Sequence, residues 1–286
     1  MSSIEKQQVK ILDVVLNGSP AKTLKLLDKE KAASTSEEKR FSLLFAYLNV
    51  GDFERARELA AQFSDNSIYS DASKYVLGRG LHRAGRQAEA LEIFEALVAD
   101  NQQSPNYWLF LGRVQSELGN PVSAHNAISN AYTLYPESGR ITIGFSQALG
   151  AIGQRNRAAE VLFTYLEEKP KDARALTALA EFYVAENNFY RAEQLYKIVH
   201  ELQADNLRIA KGLASVQLQA GRPSSAIQTL SKIIAQEPSD TEARLMHAKA
   251  LEQLGDLDAA ILEYETVLKL DAENEAAKIE LHRMGG

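Results

Sequence analysis

The sequence predicts an all-α solenoid, a stack of helix-turn-helix units of 34 residues each closed at the C-terminus by a capping helix. Three observations predict it. Gly51, Gly85, Gly119, Gly153, Asn187, Gly221 and Gly255 stand 34 residues apart, and five residues after each comes Ala56, Ala90, Ala124, Ala158, Ala192, Ala226 or Ala260. With alanine at roughly one residue in ten, seven such hits in register have a chance probability on the order of 10⁻⁷. A second column of good N-cap types, Ser70, Ser104, Ser138, Asp172, Asn206, Asp240 and Asn274, keeps the same 34-residue step. The composition agrees: 286 residues contain only 7 prolines and 16 glycines, and the abundant Ala, Leu, Glu, Gln and Arg are the residues that cost least in a helix.

Each column has a physical reason. The Gly or Asn position ends the first helix of a pair, where a left-handed residue lets the last carbonyls find partners, and Asn tolerates that conformation best after Gly. The alanine column falls where the second helix crosses the first, and a methyl group there lets the axes approach. Seven residues before each turn lies a facing column, Leu44, Gly78, Gly112, Ser146, Ala180, Ala214 and Ala248, small in all but its first member. Pro136, Pro170 and Pro238 recur where second helices exit, positions at which proline stops a helix without removing an interior hydrogen bond.

The phasing places repeats at 37–70, 71–104, 105–138, 139–172, 173–206, 207–240 and 241–274. A degenerate repeat is expected at 4–36, with a helix from Ile4 to Leu16, a turn at Asn17-Gly18-Ser19-Pro20 and a second helix from Ala21 to about Lys31; Thr23 stands where the others carry alanine. Residues 275–286 repeat a first helix without a second, and Glu275, Lys278, Glu280, His282 and Arg283 make it a solvating cap. The whole chain, 1–286, is thus expected to form a single solenoid.

Trp108, Leu111, Gly112, Ala124, Ala131 and Pro136, and again Leu179, Ala180, Tyr183, Ala192 and Tyr196, resemble the tetratricopeptide repeat family. That resemblance implies a right-handed superhelical solenoid whose first helices line a concave side through positions two, five and nine of each repeat. It also implies a chain that holds another protein rather than one that catalyses. The lysine and asparagine clamp with which some members bind acidic chaperone tails is not repeated here: Lys211 is followed by Ser215, and Arg113 is preceded by Leu109.

Composition and motifs exclude other classes. A formal net charge of −6 argues against a general nucleic-acid binder. Absence of cysteine removes disulfides, thiolate metal sites and cysteine nucleophiles. His82, His125, His200, His247 and His282 show no metal-ligand spacing, no phosphate-binding glycine loop occurs, and carboxylate pairs such as Glu37-Glu38 and Glu167-Glu168 have no partner base, so no enzyme, metal or cofactor is expected. No run of about 18 apolar residues occurs, and Met1 to Lys10 lacks the apolar stretch of a signal peptide. As written the chain is expected in the cytoplasm, without membrane insertion. A domain cut from a periplasmic polysaccharide-export or pilus and secretion assembly machine would read the same.

The candidate ligand groove follows from the three columns. Position two gives Glu38, Ala72, Asn106, Arg140, Arg174, Arg208 and Glu242, and position nine adds Arg79, Arg113 and Lys249. Arg140, Arg174 and Arg208 would form a ladder, either paired with acids such as Glu137, Asp172 and Asp240 or open to carboxylates or phosphates of a ligand. An arginine in a first turn opposes the helix dipole by roughly 0.3–1 kcal/mol, so such a ladder needs a reason. Position five gives Phe41, Tyr75, Leu109 and Ile143, then Thr177, Lys211, Leu245 and Ile279, with Phe45 at position nine; the apolar members of its first half are either anchors for a ligand or buried against the next helix. The expected partner is an extended or helical protein segment with apolar and acidic residues.

Overall fold

A computed structural model describes residues 37–65 and 67–285; the degenerate repeat expected over 4–36 lies outside the described residues. The described chain falls into two compact units, one ending at Ala158 and the other running from Ala159. The first unit contains α1 (Glu37–Val50), α2 (Phe53–Ala60), α3 (Ser70–Arg83), α4 (Gln87–Asp100), α5 (Pro105–Glu117), α6 (Pro121–Leu134), α7 (Gly139–Ala151) and the start of α8 (Arg155–Glu168). The second contains the rest of α8, then α9 (Ala173–Ala185), α10 (Phe189–Leu202), α11 (Leu207–Gln219), α12 (Pro223–Gln236), α13 (Thr241–Leu254), α14 (Leu257–Leu270) and α15 (Glu275–Gly285). Among the described residues every regular element is a helix, and none is long and apolar enough to cross a membrane.

The turn column behaves as its chemistry requires. All six turn glycines have positive φ, from 69° at Gly221 to 85° at Gly255, and Asn187 is the one described non-glycine residue there, at 57°. The residue after each turn donates its N–H to the carbonyl five residues back, as in Asp52 to Tyr47 at 2.9 Å, Asn120 to Gln115 at 2.9 Å and Asn188 to Tyr183 at 2.8 Å. This closes carbonyls that the helix end leaves open, with the same bond in each described repeat.

The cap column is split by side-chain type. Asp172, Asn206 and Asp240 accept N–H bonds from the first turns of α9, α11 and α13, and Asn274 accepts one from Ala277. Ser104 and Ser138 stand at the cap positions of α5 and α7 without a side-chain bond, and Ser70 lies inside α3. Longer carboxylate and amide groups reach the first-turn donors, whereas the serine hydroxyls do not turn to them. Second helices carry caps of their own, at Asp52, Asn188 and Asp256.

All seven alanines of the crossing column are buried, none more than 2% exposed. Their facing column explains why small residues are needed. A Cβ added to Gly112 would lie 2.9 Å from the Ala124 carbonyl oxygen and would overlap Ile128, and at Gly78 it would meet Phe94 at 3.0 Å. In the first unit the core is aromatic, with Phe41, Phe63, Phe94 and Phe110 packed among Leu44, Leu81 and Leu97. In the second it is mainly aliphatic, with Leu230 and Ile233 between α11 and α13, and Tyr264, Val267 and Ala277 joining α14 to α15. The capping helix buries Ala277 fully while Ile279 stays 63% exposed.

One substitution tests this packing with opposite signs at two sites. Gly112→Ala should cost about 1–3 kcal/mol, because the crossing has no room for a methyl group. Gly150→Ala, with no atom within 4 Å of the new Cβ, should gain about 0.4–1 kcal/mol by reducing the freedom of the unfolded chain. Urea denaturation of the two variants reads both; equal effects would rule out close packing as the reason for glycine at 112.

Candidate functional site

In the first unit, α3, α5 and α7 bring cationic and aromatic side chains together. Phe110, on α5, is the centre. Its ring stacks on Phe94 at 5.5 Å between centroids and meets Tyr75 edge-on at 5.5 Å. Three guanidinium groups lie over it: Arg79 from α3 at 5.2 Å, Arg113 from the next turn of α5 at 5.3 Å and Arg140 from the first turn of α7 at 5.7 Å. Arg79 also lies 5.6 Å from the Tyr75 ring, and Arg140 donates to Asn106 Oδ1, the residue one repeat earlier in its own column. Each contact of this kind contributes about 0.5–1 kcal/mol where water still reaches the cation.

Charge is poorly compensated there. Among the described residues none of Arg79, Arg113 and Arg140 forms an ion pair with a carboxylate. Burial, then the neighbouring charge of Arg140 and more weakly that of Arg79, holds the Arg113 guanidinium below its usual value. Burial, helped by Asp71 nearby, pushes the Tyr107 phenol up to about 12. An anion placed against Arg113 would relieve both the desolvation and the repulsion. Beside it opens a cleft of about 320 Å³, with His82, Arg113, Ser116, Glu117, Gly144 and Gln147 among its lining residues. Glu117 is turned to His82, whose Nε2 lies 2.9 Å from Oε1, and to Gln87, which donates to Oε2.

The basic residues of the second unit are arranged differently. Lys211 lies 3.2 Å from Asp240, the cap of α13, and 2.5 Å from Glu242 in its first turn. Hydrogen bonding to Glu242 raises the ammonium above its ordinary value despite partial burial. For Asp240, burial alone would raise the carboxyl, but the Ala243 N–H and the Lys211 ammonium hold it below 3.8. Arg174 is exposed, with Nε 3.9 Å from Asp172, the cap of its own helix. Arg208, also exposed, lines a cleft of about 670 Å³ with Lys211, Asp240 and Glu242.

Four family matches cover the chain under two descriptions: "Cytochrome c-type biogenesis protein H TPR domain" over 90–209, and "Tetratricopeptide repeat" over 46–107, 183–250 and 241–274. Together they run without a gap from 46 to 274. The chain is a tetratricopeptide repeat protein. Cellulose synthase operon protein C of Pseudomonas fluorescens is 23% identical over 251 residues, covering 85% of this chain and 17% of that protein. The chain spans from 17% to 52% of the length of the curated relatives it matches. Yeast Tom70 superposes with a TM-score of 0.67 at 16% identity, over 92% of this chain and 56% of that one. PilW, described as a widely conserved type IV pilus biogenesis factor, does so with 0.66 at 17% identity, over 75% of this chain and all of that one. At these identities the structural likenesses show the fold.

Within this tetratricopeptide repeat protein the expected groove residues do not share one environment. Tyr75, Arg79, Arg113 and Arg140 come together around Phe110. Phe41 and Leu109 are corrected to core: Phe41, 6% exposed, packs edge-on against Phe45 and Phe63, and Leu109, fully buried, faces Gly144 across to α7. The hydrophobic effect has drawn Phe41 into the core of its own repeat and Leu109 into the contact with the next, and neither presents a face to a ligand. Phe45 and Ile143 are half-buried. In the second unit Lys211 is occupied by acids, Arg174 rests by its cap, and Arg208 alone of these three has no carboxylate at ion-pair distance among the described residues. Phe110, the hub of the first face, lies one residue beyond the fifth-position column. Its signal was the aromatic residue three positions before Arg113, the helical spacing at which side chains meet.

The Lys211–Asp240 pair predicts an acid sensitivity. A carboxyl depressed in the folded state contributes stability that is present above its ordinary value of 3.8 and is lost as pH falls through the depressed value. Asp240→Asn keeps a good cap and removes the charge, so its stability deficit in urea should be present at neutral pH and vanish well below 3.8. Asp240→Ala, losing cap and charge, should cost about 1 kcal/mol from the cap alone. A deficit for Asp240→Asn that does not change with pH would refute the assignment.

Proposed function

We propose that this protein is a non-catalytic scaffold or adaptor that holds a segment of a partner protein and supports assembly of a larger complex. The carrying observation is the Phe110 face, where three arginines converge on aromatic surface without a described carboxylate to neutralise them. Such a surface suits an extended or helical segment bearing both apolar and acidic residues: the arginine forks take carboxylates, and Tyr75 and Tyr107, partly exposed, offer ring surface beside them. Membership of a repeat family whose members commonly bind proteins supports the same reading. Arg208 in the second unit is a further candidate contact, and Arg174 and Lys211 are weaker ones because acids already attend them. The proposed compartment is the cytoplasm.

A second reading has one specific support. Most of this chain aligns with part of cellulose synthase operon protein C, so it is alternatively a repeat domain of an envelope polysaccharide-export or pilus and secretion assembly machine, working in the periplasm. A signal peptide or a C-terminal barrel in the full reading frame would favour that reading over a cytoplasmic adaptor.

Crosslinking mass spectrometry from native cells, repeated with Arg79, Arg113 and Arg140 all changed to Glu, tests the docking face. Crosslinks from the partner should map to α3, α5 and α7 and fall at least about tenfold in the variant, since reversal places like charges opposite an acidic segment. Arg174→Glu with Arg208→Glu should have a smaller effect. Undiminished crosslinks in the first variant would remove the Phe110 face from the function.

A further inference from the structure

We infer that His82 and Gln87 are positioning residues that keep Arg113 open to a partner's acidic side chain by holding back Glu117, the carboxylate that would otherwise neutralise it. The inference rests on the docking face proposed above. Glu117 follows Arg113 by four residues on α5, the spacing at which helical side chains meet and at which an arginine and a glutamate ordinarily pair. Arg113 feels the charge of Glu117, yet among the described residues no ion pair joins them. Both carboxylate oxygens of Glu117 are engaged elsewhere: Oε1 lies 2.9 Å from His82 Nε2, and Oε2 accepts from Gln87 Nε2. Glu117 is also the one carboxylate among the residues lining the cleft beside Arg113, the rest being His82, neutral polar groups and apolar surface.

The restraint is built by the turn between α3 and α4. His82 sits in the last turn of α3 and Gln87 begins α4, with Gly85 in the left-handed conformation between them. The His82 ring is itself placed edge-on to Phe110, 6.2 Å between centroids at 89°, and Gln87 Nε2 also reaches the His82 carbonyl at 3.4 Å. One repeat's turn therefore grips the end of the next repeat's first helix. Because the Glu117 side chain is 47% exposed, packing does not hold it; the two hydrogen bonds do. Without them the carboxylate is free to turn back along α5 to Arg113 and to compete with any incoming acid.

The test uses the full chain and a fluorescein-labelled hexaglutamate peptide as probe, with binding read by fluorescence anisotropy at low salt. The His82→Ala/Gln87→Ala variant should weaken binding roughly two- to fivefold, the range that an exposed ion pair can impose. Glu117→Gln should tighten binding, and the triple variant should bind as Glu117→Gln does. A second readout needs no ligand: the Arg113 Nε–Hε resonance, assigned by its loss in Arg113→Lys, should shift in the double variant and return in the triple. An unshifted resonance, an unchanged affinity, or a weakening that persists with Glu117→Gln would overturn the inference, the last because it marks a merely structural role for His82. Should the resonance behave as expected while the wild type binds no hexaglutamate, the restraint would stand and the docking reading of the preceding section would fall.

Discussion

In every described repeat a buried alanine of the second helix sits where it crosses the first, and the rest of the structure depends on that approach. It needs a small side chain on the second helix, faced by another small one in every described repeat but the first, and a chain reversal that brings the second helix back against the first. The alanine column supplies the first, buried throughout, and the left-handed Gly or Asn with its bond to the carbonyl five residues back supplies the second. Neither suffices alone. A close crossing with a loose turn would let the second helix slide along its ridges, and a rigid turn feeding bulky residues would splay the pair. Since the same geometry recurs at a 34-residue step, side chains at one repeat position are brought to neighbouring places on successive first helices. That is how Arg140 meets Asn106, its counterpart one repeat earlier.

Electrostatics, in contrast, is decided repeat by repeat. Lys211 finds two acids at the start of the next first helix, Asp240 and Glu242, and becomes an element of cohesion. Arg113 finds aromatic surface and two like charges, with its nearest acid turned toward His82. A cation paired within the fold has already committed its attraction to its own chain's acids. A cation left against an aromatic ring keeps its charge available, at a cost in repulsion that any incoming anion offsets. The net charge of −6 is therefore a poor guide to this face. What matters is which carboxylates the fold permits to reach which cations.

Most of the fold was legible because the repeat is written in backbone requirements. Positive φ admits Gly and, once here, Asn; close crossing admits Ala or Gly; such constraints leave a mark at a single position that survives repetition. The caps were less legible. Ser104 and Asp172 occupy equivalent places and both count as good caps, but only the aspartate makes the bond. Residue type records what a side chain can do, and the local rotamer decides what it does. The site was legible in part: the columns named Tyr75, Arg79, Arg113 and Arg140 but missed Phe110, which joins them, and left Phe41 and Leu109 open between ligand anchors and core. An apolar residue at a given repeat position turns inward or outward according to the size of its neighbours. Leu109 goes inward because Gly144 leaves space for it on α7, and that pairing lies 35 residues away rather than in its own column.

The same logic explains why the cationic face of the first unit coincides with its most aromatic core. A guanidinium can lie flat on a ring, so an arginine at the edge of an aromatic cluster covers apolar surface without needing a carboxylate beside it. Phe94, Phe110 and Tyr75 make such a cluster, and Arg79, Arg113 and Arg140 roof it. In the second unit the cations over rings are Lys169 at Tyr165, Arg191 at Tyr183 and Arg222 at Tyr190; Lys211 makes no such contact among the described residues, and its compact, strongly hydrated ammonium is satisfied by oxygen ligands instead. Core composition thus bears on surface function: aromatic packing lets arginines stay unpaired at tolerable cost, and unpaired arginines are what a docking face for acidic segments requires. A restraint on Glu117 completes this arrangement, because a surface kept open by ring contacts would still close if the chain's own carboxylate were free to fold back on it.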